Sequence, residues 1–358
     1  MNKAVLIRVD ANKKIAMGHL RRCHTIAKEL KKYGIKVIML FSDSESLDLL
    51  KKIDSEGIVD STIVLGVDYK DLLQETGRLQ SIVNETGANL ILIDSYYINE
   101  EYVKCVSNLK SEDSKKILTA SLDGLLRLKY SCDIVINTDL GSELSKDIQI
   151  NAKHKLLGTE YAILREQFSN VNYKIRNKCS NVFISTGGTD PYDTRYKILK
   201  TFLCDSKKKE LTYHVVSGAA DNSQELLEIA QNGNVKLYTN ISNVADIMAE
   251  CDLAISAGGT TLYELCAVGI PGISFSLADN QLEQVKAFDK RGLITYAGDV
   301  RGEFEDDTYR AISEYMDRFL NNFEYRKSIS EKMKTLVDAN GAKKIAKCID
   351  DCIKERFA

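Results

Sequence analysis

Leu253-Ala254-Ile255-Ser256-Ala257-Gly258-Gly259-Thr260-Thr261-Leu262-Tyr263-Glu264-Leu265 is the stretch whose reading decides the fold. Leu253–Ser256 is an apolar run without a wet face, the pattern of a strand covered on both sides. Gly258 and Gly259 let the backbone turn tightly. Thr260 and Thr261 then open a helix, with hydroxyls and free N–H groups at its N-terminus. Strand, glycine turn and helix in that order make one βα unit of a parallel sheet. Such a helix start also suits a diphosphate. Glu264, one turn inside, is placed to accept both hydroxyls of a ribose. A further strand follows Gly269-Ile270-Pro271, and Asn280 and Gln281 come after it. Their amide side chains are expected at the same strand ends.

The alternation extends outward in both directions. Upstream strand candidates are Ala4–Val9, Val37–Leu40, Thr62–Leu65, Leu90–Ile93, Lys116–Ala120 and Asp133–Ile136, with His19–Lys32 the clearest helix between them. The pattern restarts with Val182–Ser185, Thr212–Val216, Val235–Tyr238, Leu253–Ser256 and Gly272–Phe275. Polar, irregular stretches at Thr138–His154 and Ser169–Ser180 lie between the halves. The expected architecture is α/β, with two doubly wound Rossmann-like domains facing a cleft at their strand ends. Residues 1–158 form the first, 159–342 the second, and 343–358 a last helix returning to the first.

The 358 residues suffice for two domains, and 44% hydrophobic with 28% charged residues is a soluble globular composition. A net charge of -2 supplies no field for nucleic acid or an anionic membrane. Lys207-Lys208-Lys209 is read as solvated loop charge. No run approaches the roughly 18 apolar residues of a membrane span, and no signal peptide pattern opens the chain. Nine scattered cysteines without CxxC read as reduced core thiols of a cytoplasmic protein. Cys348 and Cys352 share a helix with no histidine cluster beside them, so neither a metal site nor a cofactor is expected. A monomer or weak dimer is expected.

Two further stretches carry chemistry. Arg8-Val9-Asp10 ends the first strand, a polar loop with Lys13 and Lys14 follows, and Gly18 opens a helix with His19 in its first turn. A neutral imidazole there is a candidate general base, since the helix dipole disfavours its cation. Asp94-Ser95-Tyr96-Tyr97 follows another apolar strand and is expected at the cleft mouth. Ser185-Thr186-Gly187-Gly188-Thr189-Asp190-Pro191 brings a second glycine pair, with Pro191 at a helix start. GxGxxG is absent, so a dinucleotide fingerprint is not supported.

Together these motifs, with Arg22-Cys23 and Gly158-Thr159-Glu160-Tyr161 followed by Leu164-Arg165, resemble the UDP-sugar hydrolases of pseudaminic acid biosynthesis. That family includes spore-coat polysaccharide biosynthesis proteins and is related to MurG-type glycosyltransferases. The resemblance implies GT-B architecture and inverting hydrolysis of UDP-2,4-diacetamido-2,4,6-trideoxy-β-L-altropyranose. It implies catalytic roles for His19, Tyr96 and Asn280. Asp10, Gly18, Arg22, Asp94, Gly188, Gly258, Gly259, Thr260, Thr261, Glu264 and Gln281 are then expected to bind the substrate. In this architecture uracil meets backbone near Tyr238–Ser242. Ser95 stands where some relatives have His, and Tyr97 where a Gly can stand, so these departures bear on the sugar's identity. Two other readings use the same residues: a glycosyltransferase with a hydroxyl acceptor, and a non-catalytic nucleotide-sugar sensor.

Overall fold

Parallel pairing needs strands that are buried on both faces, and β1 (Ala4–Val9) is buried at every residue. The computed structural model describes residues 3–12, 15, 17–122, 132–142, 151–217, 223–239 and 241–358. Around β1 stand β2 (Lys36–Phe41), β3 (Ser61–Val64), β4 (Leu90–Asp94), β5 (Leu118–Leu122), β6 (Ile134–Asn137) and β7 (His154–Leu157). Their order is β3-β2-β1-β4-β5-β6-β7, all neighbours parallel. Sequence order reverses between β1 and β4, which are paired through Val9 and Asp94. Such a reversal opens a crevice beyond the carboxyl ends of the strands. Helices α1 (Gly18–Lys31), α2 (Ser44–Ile53), α3 (Thr76–Thr86) and α4 (Glu100–Val106) connect these strands.

The second unit repeats the design. It contains β8 (Asn181–Ser185), β9 (Thr212–Ser217), β10 (Val235–Thr239), β11 (Leu253–Ala257), β12 (Gly272–Ser276) and β13 (Thr295–Asp299), in the order β10-β9-β8-β11-β12-β13. All pairings are again parallel, and the reversal falls between β8 and β11. Its helices are α5 (Thr194–Cys204), α6 (Gln224–Ile229), α7 (Val244–Glu250), α8 (Thr260–Val268), α9 (Asp279–Lys290), α10 (Glu305–Asn321) and α11 (Phe323–Lys334).

The chain ends in α12 (Gly341–Phe357), whose Ile345, Ile349 and Ile353 are fully buried at helical spacing. They share an apolar cluster with Val5, Ile7 and Val9 of β1 and with Leu20, Cys23 and Ile26 of α1. Burying side chains of this size stabilises by about 1.5–3 kcal/mol each. The first unit therefore comprises 1–164 and 340–358, and the second 165–339. The expected junctions at 158/159 and 342/343 are displaced because Tyr161 and Ala162 pack on α12. A Cβ on Gly341 would meet the Ala162 carbonyl oxygen at 2.3 Å.

Other expectations need correcting. His154, read as the end of a polar, irregular stretch, opens β7, which was not expected, and the second half has a sixth strand, β13. Residues 143–150 of that stretch lie outside the described residues. Lys208 is buried, not solvated, with its ammonium on Asp205 (3.2 Å), Asp317 (3.0 Å) and Ser313 (2.9 Å). Pro191 does not open a helix. α5 begins at Thr194, whose N–H donates to Asp190 Oδ1 at 2.9 Å. Cys105 and Cys204 are exposed rather than core. Among the described residues no helix is long and apolar enough to cross a membrane.

Candidate active site

In the first unit, the β1–β4 reversal brings the start of α1 beside the end of β4. Gly18 is exposed, with open space where a Cβ would stand, and no side chain caps the helix start. His19 follows and is buried. Its Nδ1 lies 2.7 Å from Asp94 Oδ1. Arg22 Nη2 also lies 3.4 Å from Nδ1, but the much shorter carboxylate contact assigns the proton to Nδ1, since a carboxylate only accepts. Nε2 is buried with no hydrogen-bond partner, which leaves its lone pair for a proton. Tyr96 sets its ring edge-on to the imidazole, centroids 4.3 Å apart, and is 54% exposed. His19 is thus sheltered by a side chain that itself faces solvent.

Asp94 is held by more than His19. Arg22 Nε donates to Oδ2 at 2.6 Å, Arg22 Nη2 donates to Oδ1, and the Cys23 thiol donates to Oδ2 at 3.4 Å. Burial alone would raise the Asp94 carboxyl, but Arg22 and His19 outweigh it and hold Asp94 well below the usual carboxylate range. Burial and Asp94 push the Cys23 thiol up. Asp94 was expected among the substrate ligands. Both of its oxygens are occupied by Arg22, Cys23 and His19.

Asp10, also expected to bind substrate, is likewise surrounded by protein partners. Its Oδ1 accepts the Ser42 N–H at 2.7 Å, and its Oδ2 accepts from Arg8 Nη1 at 2.6 Å and from the Ser42 hydroxyl at 3.1 Å. The cause is Arg8, fully buried on β1, which needs counter-charge. Its Nε bonds both oxygens of Glu75 at 2.8 Å, and Tyr102 donates to Glu75 at 2.5 Å. Burial raises Glu75 against the pull of Arg8, and burial with Glu75 raises Tyr102 well above its ordinary value. This network braces the floor of the crevice. Glu75 and Tyr102 carry no motif and are far from Arg8 in sequence, so the sequence reading missed them. Lys13 and Lys14 lie outside the described residues.

In the second unit, both glycine pairs sit at the β8–β11 reversal, where Ser185 pairs with Ser256. Gly187 has φ +85°, and Gly188 is exposed with nothing within 4 Å of a Cβ position. Gly258 is required by close packing, since a Cβ would lie 2.7 Å from Val285 Cγ1 and 3.0 Å from Gln281 Cβ. Gly259 has φ +110°, a conformation that favours glycine.

The cradle is narrower than expected. Gly258 N donates to the Phe275 carbonyl at 2.9 Å, and Gly259 N to Gln284 Oε1 at 2.7 Å. The helix start at Thr260 and Thr261 has no side-chain cap. Gln284 was missed because it lies inside α9 with no motif around it. Glu264 receives Arg165 Nη2 at 3.2 Å, so a guanidinium joins this carboxylate. Asn280 is exposed in the first turn of α9. Gln281 instead braces the preceding turn, its Oε1 accepting the Leu277 N–H at 2.9 Å. Of Tyr238–Ser242, the segment expected to meet uracil, residue 240 lies outside the described residues.

No histidine was expected beside Cys348 and Cys352, yet one stands there. His154 of β7 joins Cys348 and Cys352 of α12, with one ligand atom from each lying within 4.8 Å of the others. Spacing could not find it, because the histidine is almost two hundred residues upstream on a strand that was not expected.

Residues 181–299, all within the second unit, match the glycosyltransferase family 28 C-terminal domain. An uncharacterised protein of Methanocaldococcus jannaschii is 29% identical over 78% of this chain, an alignment spanning 56% of that relative. The Bacillus subtilis spore coat polysaccharide biosynthesis protein SpsG is 25% identical over 97% of this chain and 98% of its own. The Campylobacter jejuni UDP-2,4-diacetamido-2,4,6-trideoxy-β-L-altropyranose hydrolase is 25% identical over 73% of this chain and 86% of its own. Among solved structures, Acinetobacter baumannii MurG superposes with a TM-score of 0.67 at 13% identity, covering 98% of this chain and all of that one. The fold is GT-B, with two Rossmann-like parallel-sheet units.

Proposed function

We propose that this protein hydrolyses a UDP-activated 2,4-diacetamido-2,4,6-trideoxy sugar at its anomeric carbon, with inversion. The observation that carries the reading is the Asp94–His19 pair, with Nδ1 bonded to the carboxylate and a buried, unpartnered Nε2 beside Tyr96. This is how an imidazole is prepared to take a proton from water. In the step, His19 Nε2 removes a proton as the water oxygen bonds the anomeric carbon. The bond from that carbon to the diphosphate oxygen breaks, and the electron pair leaves with UDP. Asp94 stabilises the imidazolium that forms. Diphosphate is a good leaving group when its charge is held, which is the role given to the α8 start at Thr260 and Thr261. Glu264 is assigned to the ribose, and Tyr96 and Asn280 to the sugar. The name of the Campylobacter relative supports this substrate.

The family 28 match favours a second reading, transfer of the sugar to a hydroxyl acceptor. An NMR time course with UDP-2,4-diacetamido-2,4,6-trideoxy-β-L-altropyranose and no acceptor separates the two. Release of UDP with free sugar appearing first as the opposite anomer is the expected result. No release without an acceptor, while UDP still binds, would sink the hydrolase reading.

A further inference from the structure

β7 is the edge strand of the first sheet, and α12 packs in the same unit. Cys348 and Cys352 are four residues apart on α12, so both point to one side of the helix, with their sulfurs within 4.8 Å of each other. His154 approaches them from the strand, and its Nε2 is buried with no hydrogen-bond partner. His154 and Cys352 line a recess of about 180 Å³ together with Asp133 and Glu355. The neighbouring cations are neutralised: Lys153 pairs with Glu355 at 2.7 Å, and Arg356 with Asp133 at 2.6 Å.

We infer that His154, Cys348 and Cys352 are a binding site for a soft divalent metal ion, zinc by ligand class, which ties α12 to the edge of the first sheet. Two sulfurs and one imidazole select zinc over magnesium or calcium. Tetrahedral bonds of about 2.3 Å to sulfur and 2.0 Å to nitrogen put donor atoms roughly 3.5–3.8 Å apart. The present separations, all within 4.8 Å, need only a small contraction. Binding releases the two thiol protons, so two thiolates neutralise the ion. Three protein donors leave a fourth position for a solvent molecule. The site lies apart from His19 and Asp94, so its role is to fasten the returning helix.

The test uses the full chain, reduced and freed of metal with a chelator. Titration with Co²⁺ is expected to give thiolate-to-cobalt charge-transfer absorption that saturates at one equivalent and disappears on adding Zn²⁺. Zn²⁺ is expected to raise the melting temperature and to slow alkylation of Cys348 at least tenfold, read by peptide mass spectrometry. The exposed Cys105 and Cys204 serve as internal controls whose alkylation does not change. The double substitution Cys348→Ser with Cys352→Ser should abolish the charge-transfer bands, and His154→Gln should weaken Co²⁺ binding more than tenfold. The wild-type measurements decide even if a variant fails to fold. Absence of the bands in the wild type, or equal slowing at Cys105 and Cys348, overturns the proposal. So do bands that persist in the double variant.

Discussion

At His19 one hydrogen bond decides which nitrogen can act. Asp94 accepts from Nδ1, so removing that carboxylate charge should damage catalysis without touching the groups assigned to UDP. His19→Ala and Asp94→Asn are each expected to lower kcat by about 10²- to 10⁴-fold, with the Kd for UDP unchanged by calorimetry. A kcat within a factor of three of wild type for His19→Ala would remove it as the base. Asp94 also makes a stability statement. Its folded value lies below the unfolded value of about 3.9, so ionised Asp94 stabilises the fold. That contribution is complete above about pH 5 and is lost as pH falls through the folded value. The melting-temperature gap between wild type and Asp94→Asn should therefore hold steady above pH 5 and close below pH 4. A gap that persists unchanged to pH 3 would show that Arg22 and His19 do not hold the carboxylate. The sequence disclosed His19 through its place at a helix start. It did not disclose that Asp94 and Asp10 face protein partners, since Arg22, Arg8 and Glu75 meet them only through the fold.

At the scale of elements, most strands were legible because their residues are apolar on both faces. β7 and β13 were not; both are edge strands, though the edges β3 and β10, which keep β-branched residues, were read. β7 reads His-Lys-Leu-Leu with only Leu156 buried, and β13 is half-buried throughout and contains Gly298. Edges carry polar residues because one side of their ladder meets solvent, so the apolar pattern fades there. The glycine turns divide likewise between packing and binding. Gly258→Ala would push a Cβ against Val285 and part α9 from the turn, costing roughly 1–3 kcal/mol. A lower melting temperature and weaker UDP binding are expected together. Gly188→Ala meets nothing within 4 Å, so stability should change by less than about 0.5 kcal/mol. If Gly188 faces the ligand, its UDP affinity alone should fall. Equal melting temperatures for Gly258→Ala and wild type would show that α9 can yield.

At the scale of the whole chain, the order of residues and the order of folding units differ. The first unit is closed by α12, which reaches it only after all of the second unit has been made. Residues 1–164 alone would leave the β1 and α1 face of Val5, Ile7, Leu20 and Ile26 without its cover. That chain is expected to aggregate. Joining 1–164 to 340–358 should restore a folded unit, because Gly341 already lies against Tyr161 and Ala162. A flexible Gly/Ser linker of about eight residues spans roughly 15 Å on average, ample for neighbouring ends. Residues 165–339 possess their own complete sheet and every group assigned to UDP. They should fold separately and bind UDP with no hydrolysis, since His19 and Asp94 belong to the other unit. Gel filtration and circular dichroism of the three chains, with UDP titrations, test the division. A folded, monomeric 1–164 would mean that α12 is dispensable to the first core. Failure of 165–339 to bind UDP would place essential nucleotide contacts in the first unit, and the assignment of Thr260, Thr261 and Glu264 would no longer be sufficient.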